Sequence, residues 1–452
     1  MKVAVLGGGG FRTPTLHGCL VRVADQAGID EIVLEDVDAV RLARIRAVIE
    51  GLDRERGGAA LPVRTTTSLE DAVEGAGAVL AAIRVGGAQA RVVDEGVPLA
   101  FGVLGQETVG PAGIAFALRT IPAMRTIAET VWDRAPDAWF VNFTNPAGIV
   151  TEVVRSVLGE RAVGICDSPA ALCARVAATL DRPMEAISFD HAGLNHLGWL
   201  LAAEIDGVDR LPALLEDEER LAAVDEARLF GPDRLRELGA IPDEYLVYLD
   251  RVEAVTRAFV AEGPRGAIVQ AQQRAFDGEA PTDDPAAALA AWRRARNARH
   301  ATYLSEGWAA AVWDPPKPEV LSAGPGEEGY AAVAADLLVA VRSEEPRRLI
   351  VDTANAGRLD GLADTEVAEV TCDVSRAGVE PVPGRALPAP AAALVERVKE
   401  VERLTIRAAA EASAALALEA LRAHPVVPST EVAERILRDY LERHDDLRAL
   451  LR

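Results

Sequence analysis

The sequence predicts an α/β protein in which a parallel sheet with alternating helices comes first and a mixed α+β region follows. Over about the first 165 residues, short apolar runs alternate with amphipathic stretches, a pattern typical of βαβ units. After about residue 190 the pattern changes to acidic helical segments and stretches rich in proline and aspartate. With 452 residues, 50% of them hydrophobic and 26% charged, the chain is long enough for two domains and is not disordered.

Six apolar runs in the first part of the chain predict buried strands, and the amphipathic stretches between them predict helices. Two of the helices are predicted over residues 39–52 and 114–131. The strands are predicted over residues 3–6, 32–35, 62–65, 79–83, 139–141 and 162–165.

The second part of the chain predicts fewer strands and more helices. An apolar run covers Leu197–Ile205, and a strand pair is expected over residues 348–352 and 366–372. Residues 211–237 form an acidic helical region, and stretches rich in proline and aspartate lie at 278–285 and 313–318. One long Ala-rich helix is expected over residues 389–423, ended by His424 and Pro425. We therefore expect domains at residues 1–189 and 190–452.

The composition excludes several classes of protein. The formal net charge of -22 is opposite to the basic surface that nucleic-acid phosphates require. No apolar run reaches the ~18 residues of a membrane span, and the first apolar run is too short for a signal peptide. Four scattered cysteines do not make a disulfide scaffold. We therefore expect a cytoplasmic protein with free thiols and with no nucleic-acid or membrane partner.

A glycine-rich turn after the first strand predicts a dinucleotide site of the Rossmann type. Glycine permits a tight turn and close backbone approach, and the following helix presents free N–H groups to a pyrophosphate. The second strand ends in Asp36, near the spacing for an acceptor of ribose hydroxyls, and its charge favours NAD over NADP. The alternative for the glycine residues is an ordinary tight turn without a ligand, and the alternative for Asp36 is that it only caps the next helix. The turn and helix start comprise Gly7, Gly8, Gly9, Gly10, Phe11 and Arg12.

Polar side chains that can bind a metal follow two predicted strands and a later segment. Asn142 and Asn145 follow one strand, Cys166 and Asp167 follow the next, and His196 lies further along. Strand carboxyl ends are where ligands bind in open α/β sheets, so these groups should lie beside the cofactor. Cysteine with histidine suits a divalent transition metal and leaves positions for substrate and water. The alternative is that Cys166 and His196 are inert core residues.

These segments resemble glycoside hydrolase family 4, the NAD- and metal-dependent 6-phospho-glycosidases, and are closest in pattern to 6-phospho-beta-glucosidases. The similarity covers nearly the whole chain. It implies a Rossmann-type domain followed by an α+β domain, the plan of lactate and malate dehydrogenases. The matching segments are residues 7–14, 83–91, 105–111, 142–148, 164–169, 193–196, 241–245, 351–357 and 424–428.

The resemblance implies a role for each matched residue. Cys166 and His196 match metal ligands, usually for Mn²⁺, and Tyr245 matches the general base, with Tyr248 as the nearest competitor for that role. Asp167 matches a general acid of some α-acting members, where many β-acting members carry Asn. Arg91 and Asn145 match residues that contact the substrate, and Asn145 is also expected to contact the cofactor. Arg265 matches an arginine that binds the sugar phosphate. The alternative for Arg91 and Arg265 is that they are surface or ion-paired residues without a role in substrate binding.

The resemblance implies hydrolysis of O-glycosidic bonds in 6-phosphorylated glucosides by redox, elimination and addition. NAD oxidises the C3 hydroxyl, the metal polarises the new carbonyl, and a base removes the acidified C2 proton so that the group on C1 departs. Water then adds and the hydride returns. The chain departs from the family pattern after the glycine turn, where Gly10, Phe11 and Arg12 replace a frequent Ser or Thr pair. A homodimer or homotetramer is expected.

Three alternative functions remain. One is a 6-phospho-alpha-glucosidase of the same family. Another is an NAD-dependent hydroxy-acid or sugar dehydrogenase, which would accumulate NADH. The third, an inactive NAD-binding sensor, is disfavoured because Cys166, His196 and Tyr245 are all present. His191 is expected to be structural.

Overall fold

The computed structural model describes residues 1–305, 311 and 329–451, and the strands of this part of the chain form one sheet. The proline-rich stretch at 313–318 lies outside the described residues. The strands are β1 (Lys2–Leu6), β2 (Glu31–Glu35), β3 (Val63–Thr66), β4 (Ala78–Ala81), β5 (Trp139–Asn142), β6 (Ala162–Gly164), β7 (Ser188–Leu194), β8 (Leu197–Ile205), β9 (Val208–Asp209), β10 (Ile241–Pro242), β11 (Arg347–Ala354), β12 (Val367–Ser375) and β13 (Gly378–Pro381).

The first six strands are parallel and lie in the order β3-β2-β1-β4-β5-β6. This is the order of dinucleotide-binding Rossmann sheets. Both faces are buried, since Val3 and Val5 pack into one apolar cluster and Ala4 and Leu6 into another. All six predicted strands are confirmed, with ends that shift by one or two residues.

The sheet continues beyond β6 with strands from the second half of the chain. Strand β11 pairs antiparallel with β6, where Asp352 lies opposite Gly164, and β12, β7, β8 and β10 follow, also antiparallel. The predicted strand pair is confirmed as β11 and β12, and the apolar run as β8. Strand β7 was missed by the sequence analysis, and the predicted boundary at 189/190 lies inside it. The division into two domains stays a prediction.

Helices cover both faces of the sheet, and the two predicted in the first half are confirmed as the third and the sixth. None of the described helices is both long and apolar enough to cross a lipid bilayer. The helices are α1 (Thr13–Arg22), α2 (Ala24–Ala27), α3 (Ala39–Glu55), α4 (Leu69–Val73), α5 (Gly87–Leu99), α6 (Pro111–Arg134), α7 (Ala147–Leu158), α8 (Ser168–Thr179), α9 (Leu211–Glu216), α10 (Glu218–Leu221), α11 (Asp225–Phe230), α12 (Pro232–Leu238), α13 (Val247–Asp250), α14 (Val252–Glu262), α15 (Arg265–Glu279), α16 (Pro285–Ala301), α17 (Tyr330–Ala340), α18 (Ala389–Ala410), α19 (Ala414–Ala423), α20 (Thr430–Arg443) and α21 (Asp445–Leu450).

The prediction of one long helix over 389–423 is wrong. The structure has two helices there, α18 and α19, because Ala412 adopts a left-handed φ of 53°. The hydroxyl of Ser413 then accepts a hydrogen bond from the Leu416 N–H at 3.3 Å and caps the start of α19. The sequence did not predict this break because the stretch consists mostly of residues that favour helices. A single serine, Ser413, is a weak indication of a helix start in such a stretch.

A buried lysine ties the C-terminal helices to the sheet. Lys399 on α18 is fully buried, and its Nζ lies 2.7 Å from the Glu152 carboxylate on α7 and 2.8 Å from that of Glu402. It also donates to the Val367 carbonyl on β12 at 2.9 Å. One ammonium therefore balances two carboxylates between a helix layer and the sheet.

We predict that Lys399→Met lowers the free energy of unfolding by about 3–5 kcal/mol, because two largely buried carboxylates would lose their counter-ion. Chemical denaturation measures this change. The matched control is Arg125→Met, which breaks the exposed pair of Arg125 with Glu129, both 57% exposed, and should cost less than ~1 kcal/mol. Equal losses in the two variants would contradict the prediction.

Candidate active site

The glycine turn between β1 and α1 has room only for glycine. Gly7 has a φ of 76°, and a Cβ atom there would lie 2.5 Å from the Ala82 carbonyl oxygen. A Cβ on Gly8 would lie 2.7 Å from Cβ of Leu34. The Gly9 N–H donates to Asp36 at 3.2 Å, so the structure brings the acid at the end of β2 against the turn as expected. These residues make a backbone cradle at the carboxyl edge of the parallel strands.

Phe11 and Arg12, which complete the turn, point to different partners. The Phe11 ring packs edge-on against Phe276 at 5.3 Å, and its carbonyl accepts the indole N–H of Trp292 at 2.8 Å. Phe11 therefore anchors the turn to helices α15 and α16. The Arg12 side chain is 58% exposed, and its guanidinium lies 3.8 Å from the Asp167 carboxylate, so it links the turn to the end of β6.

Cys166 and His196, the predicted metal ligands, lie on opposite sides of the junction between the two halves of the sheet. Cys166 follows β6 and is buried, and burial raises the pKa of its thiol. His196 occupies the two-residue turn between β7 and β8 with a φ of 62°. Burial lowers the pKa of His196 to about 4, so the imidazole is neutral at pH 7 and free to bind a metal.

The hydrogen bonds of His196 select the nitrogen that would bind a metal. The Thr108 hydroxyl donates to Gln106 at 3.0 Å and lies 2.9 Å from Nδ1 of His196. Because that hydroxyl has one proton, it accepts from Nδ1–H, which leaves the Nε2 lone pair for a ligand. A thiolate and a neutral imidazole fit a divalent transition metal.

A second group of possible metal ligands lies on and beside the β7–β8 hairpin, whose turn carries His196. His191, Asp243 and Glu369 are buried, with ligand atoms within 4.8 Å of one another. His191 Nε2 lies 3.1 Å from the Asp243 carboxylate, and the Asn195 amide donates to Glu369 at 3.1 Å. The hydrogen bond from Asn195 to Glu369 holds the turn that carries His196, and the structural role of His191 stays a prediction.

Tyr245 lies directly against the metal-ligand candidates. It belongs to a 3₁₀ turn, Glu244–Leu246, after β10, and its ring stacks on the His196 imidazole with centroids 3.8 Å apart and planes 4° apart. Burial raises the pKa of Tyr245, and the negative charge of Glu244 and that of Cys166 raise it further. A Tyr245 phenolate therefore needs positive charge nearby, which a bound metal supplies.

Three polar residues near Tyr245 were not assigned a role by the sequence analysis: Glu244, Ser168 and Tyr303. Glu244 is buried, and its Oε1 accepts from the Ser168 hydroxyl at 2.9 Å and from the Tyr303 hydroxyl at 3.2 Å. Burial raises the pKa of Glu244 to about 7, although Arg175 opposes this shift. The position of Glu244 next to Tyr245 was the one available signal, and nothing in the sequence pointed to Tyr303.

Arg91, a predicted substrate contact, is held by two carboxylates. Its guanidinium lies 2.7 Å from Glu95 and 3.0 Å from Glu107. Burial opposes ionisation of Glu107, but Arg84 and Arg91 together lower its pKa to about 2. Arg91 is thus ion-paired in the structure, and its contact with a substrate stays a prediction.

Arg265 begins helix α15 and points to the end of α16. It donates to the Thr302 carbonyl and, at 3.3 Å, to the Thr302 hydroxyl. Arg299 lies 3.6 Å over the Phe11 ring, and burial together with the charges of Arg12 and Arg265 lowers its pKa to about 10. Among the described residues, neither Arg265 nor Arg299 has a carboxylate within 4.0 Å. Three guanidiniums therefore gather beside the glycine turn, an arrangement suited to an anion.

Asn145 and Asp167 lie at the carboxyl ends of adjacent parallel strands. Asn145 is half-buried between β5 and α7, and Asp167 has a side chain 37% exposed at the start of α8. Asn142, by contrast, is fully buried and donates to the Thr144 carbonyl at 3.1 Å, so it shapes the loop. The structure thus gathers the predicted residues at one edge of the sheet, and their roles stay predictions.

The chain matches two family models over most of its length. Residues 2–182 match the family 4 glycosyl hydrolase model, and residues 191–427 match the model of the family 4 glycosyl hydrolase C-terminal domain. The probable 6-phospho-beta-glucosidase of Bacillus subtilis (strain 168) is 30% identical over 456 residues, covering 98% of this chain and 96% of its own.

Solved structures of other proteins share the fold. A 6-phospho-beta-glucosidase from Thermotoga maritima with manganese, NAD⁺ and glucose-6-phosphate has a TM-score of 0.81 and 28% identity, with 99% of each chain covered. A 6-phospho-alpha-glucosidase from gut microorganisms with NAD and glucose-6-phosphate has a TM-score of 0.80 and 25% identity, with 98% of each chain covered. At the level of fold alone, a malate dehydrogenase from Plasmodium falciparum has a TM-score of 0.50 and 13% identity, covering 91% of this chain and 99% of that one.

These comparisons confirm the resemblance and the dehydrogenase-like plan expected from the sequence. Both family models match in order along the chain, and the relative from Bacillus subtilis covers nearly all of it. The chain belongs to family 4 of the glycosyl hydrolases.

Proposed function

We propose that the protein hydrolyses O-glycosidic bonds in 6-phosphorylated glucosides, with NAD and a divalent metal such as Mn²⁺ as cofactors. The observation that carries this proposal is the stack of Tyr245 on His196, which puts a candidate base against a candidate metal ligand. The 6-phospho-beta-glucosidase relatives, one of them solved with manganese, NAD⁺ and glucose-6-phosphate, support the same substrate and cofactors.

The chain's residues fit both cofactors. The turn that begins at Gly7 would hold the pyrophosphate and Asp36 the ribose of NAD, while Cys166 and Nε2 of His196 would hold the metal. When bound, these groups supply a hydride acceptor for C3 and polarisation of the resulting ketone, which acidifies the hydrogen on C2.

Tyr245 takes the C2 proton in this proposal. Its own environment makes it reluctant to ionise, because burial and nearby carboxylates raise its pKa. The chain supplies two cations that attract the phenolate, since the charges of Arg12 and Arg91 both interact with Tyr245. These guanidiniums favour the phenolate and orient it toward a substrate bound between them.

Asp167 acts as general acid toward the oxygen that leaves C1. Its side chain is 37% exposed at the start of α8, where the oxygen that leaves C1 can reach it. Once the proton is transferred, Arg12 at 3.8 Å stabilises the carboxylate left behind.

The sugar phosphate binds beside Arg265. This guanidinium and those of Arg12 and Arg299 form a local positive region in a chain of net charge -22. Arg91 and Asn145 contact the sugar, with the guanidinium of Arg91 held in place by Glu95 and Glu107.

The linkage has two candidates. The relatives from Bacillus subtilis and Thermotoga maritima favour a β linkage. Asp167 favours the α linkage, because the family resemblance associates an aspartate at this position with α-acting members. Chromogenic α- and β-glucosides with and without a 6-phosphate, assayed with NAD⁺ and Mn²⁺, decide between them.

We further propose that the enzyme works in the cytoplasm as a homodimer or homotetramer. All four cysteines are free and buried, and a Cys166 thiolate ligand requires reducing conditions. Light scattering of the purified protein tests the number of subunits.

We predict that chelation abolishes hydrolysis and that Mn²⁺ restores it in the wild type. In Cys166→Ser the restoring Mn²⁺ concentration should rise at least ~10-fold, because a thiolate ligand is lost. Cys173→Ser is the matched control, since Cys173 is a buried free thiol within α8. Full activity of the metal-stripped wild type would refute the role of the metal.

We predict that Tyr245→Phe lowers kcat by ~10²–10⁴-fold, because the general base is lost while the ring keeps its packing. In D₂O the wild-type product should carry deuterium at C2, detected by NMR, and Tyr245→Phe should lose this exchange. Tyr248→Phe, which changes the adjacent ring 5.7 Å away, should retain it. A wild type with neither C2 deuterium nor a C2 kinetic isotope effect would exclude the mechanism.

We predict that Arg265→Ala raises KM for a 6-phosphorylated glucoside at least ~10-fold, equivalent to ~1.4 kcal/mol, with little change for the unphosphorylated glucoside. Arg257→Ala, at a side chain 74% exposed on α14, is the control. Equal kcat/KM of the wild type for both substrates would count against a phosphate site.

A further inference from the structure

Three buried side chains that the proposed function does not use, His191, Asp243 and Glu369, converge at one place in the fold. Their ligand atoms lie within 4.8 Å of one another, and none of the three residues is more than 1% exposed. They come from three parts of the chain: strand β7, the loop directly after β10, and strand β12. An imidazole with two carboxylates is a ligand set that suits a divalent transition metal.

His191 has a ring nitrogen whose lone pair lacks a hydrogen-bond donor. Nε2 lies 3.1 Å from Oδ2 of Asp243, and Nδ1 has no hydrogen-bond partner among the described residues. A neutral imidazole carries one N–H. If Nε2 carries it, the lone pair of Nδ1 has no donor, and if Nδ1 carries it, the lone pair of Nε2 faces a carboxylate. In both tautomers a bound cation would satisfy the remaining lone pair.

Glu369 needs a positive charge that its surroundings do not supply. Its Oε1 accepts from the Asn195 amide at 3.1 Å, while Oε2 has no hydrogen-bond partner among the described residues. Asp352 lies directly opposite Glu369 in the pairing of β11 with β12, and both of its carboxylate oxygens lack such partners too. The ammonium of Lys399 attracts Asp352 but is already shared by two other carboxylates. Because carboxylates directly opposite each other repel, either a proton or a metal ion must neutralise this pair.

Glycines on the neighbouring strands make room for the three side chains. Gly193 lies opposite Glu369 on one side and opposite Gly198 on the other. A Cβ atom on Gly198 would lie 2.6 Å from Nε2 of His191 and 2.7 Å from Oδ2 of Asp243. Only glycine at this position therefore lets the imidazole and the carboxylate meet.

We propose that His191, Asp243 and Glu369 bind a divalent transition-metal ion such as Zn²⁺. This site is separate from the one proposed at Cys166 and His196. The two positive charges of the ion balance the two carboxylates, and the imidazole ligand favours a transition metal over Mg²⁺ or Ca²⁺, which prefer oxygen ligands.

The ion has a structural role, because it joins two segments that carry residues of the candidate active site. Asp243 lies two residues before Tyr245, and Glu369 holds the amide of Asn195, the residue before His196. Since all three ligands are buried, the ion holds these segments together rather than contacting a substrate.

The experiment counts the ions bound to the full chain. The protein is stripped with a chelator, incubated with Zn²⁺ and gel-filtered, and its zinc is measured by mass spectrometry. The wild type is compared with Cys166→Ser, Asp243→Asn and Glu369→Gln, and folding is checked by circular dichroism. The matched control is Glu226→Gln, at another fully buried glutamate, which pairs with Arg175. Anomalous diffraction from wild-type crystals locates the ions.

The wild type and Glu226→Gln should each bind two zinc ions, because Zn²⁺ also suits a thiolate with an imidazole. Asp243→Asn and Glu369→Gln should raise the Kd of one ion at least ~10-fold and leave the ion that depends on Cys166, since a neutral amide replaces a carboxylate ligand. Zn²⁺ should still raise the Tm of Cys166→Ser, but not that of Cys166→Ser/Glu369→Gln.

A single ion per wild-type chain that Cys166→Ser removes would overturn the inference, and a proton would then neutralise Glu369. A second ion that Glu369→Gln leaves in place would overturn it as well. If the variants do not fold, the wild-type crystal decides, because an anomalous map without a peak among His191, Asp243 and Glu369 contradicts the site. An ion here with none at Cys166 would support this site and count against the metal of the proposed function, so the two proposals can fail separately.

Discussion

The structure depends on one pairing between strands, that of β6 with β11 at Gly164 and Asp352. A Cβ on Gly164 would lie 2.8 Å from the Asp352 side chain and would clash with the Thr151 hydroxyl, so only glycine allows the two strands to meet. This pairing joins an antiparallel sheet to the parallel Rossmann strands. It brings Cys166, two residues beyond Gly164, to the hairpin that carries His196. Ligands from both halves of the chain therefore meet at the edge where the dinucleotide turn lies.

A second constraint is that each buried charged side chain needs an opposite charge nearby, and at Arg91 and Lys399 the structure provides it through ion pairs. Arg91 and Arg84 share the carboxylate of Glu107, while Lys399 balances two carboxylates beneath the sheet. An excess of negative charge over the whole molecule thus coexists with a positive region at Arg265 and Arg299. Because interactions inside the protein are screened less than those at the surface, this local arrangement, rather than the net charge, decides which ligand the site attracts.

The segment that departs from the family pattern after the glycine turn makes contacts with the second half of the chain. Phe11 packs between Phe276 and Trp292, and Trp292 also donates to its carbonyl. Helices from the second half of the chain thereby hold the turn in place. Arg12 extends from the same turn to Asp167 and lies 4.7 Å over the Tyr330 ring. The replaced segment thus connects the cofactor turn with the proposed general acid.

The sequence by itself determined the features that depend on neighbours along the chain. The six parallel strands, the glycine turn with its acid at Asp36, and the strand-end placement of Cys166 all follow from local apolar runs and short spacings. The pairing of His196 with Cys166 as possible metal ligands followed from their residue types, and the family resemblance, carried by segments in order along the chain, added Tyr245. Such patterns can be predicted because the spacing of hydrophobic residues along a strand or helix shows which of its faces is buried.

Only the tertiary structure decided which distant side chains face one another. It paired Arg91 with Glu107 and broke the predicted Ala-rich helix at Ala412. It also placed Glu244 between Ser168 and Tyr303, which lie 76 and 59 residues away along the chain. The pattern within a strand or helix shows that a face is buried and does not show what covers it. Hydrogen-bond partners across the fold are set by how the elements pack, so they become visible only once the sheet is assembled.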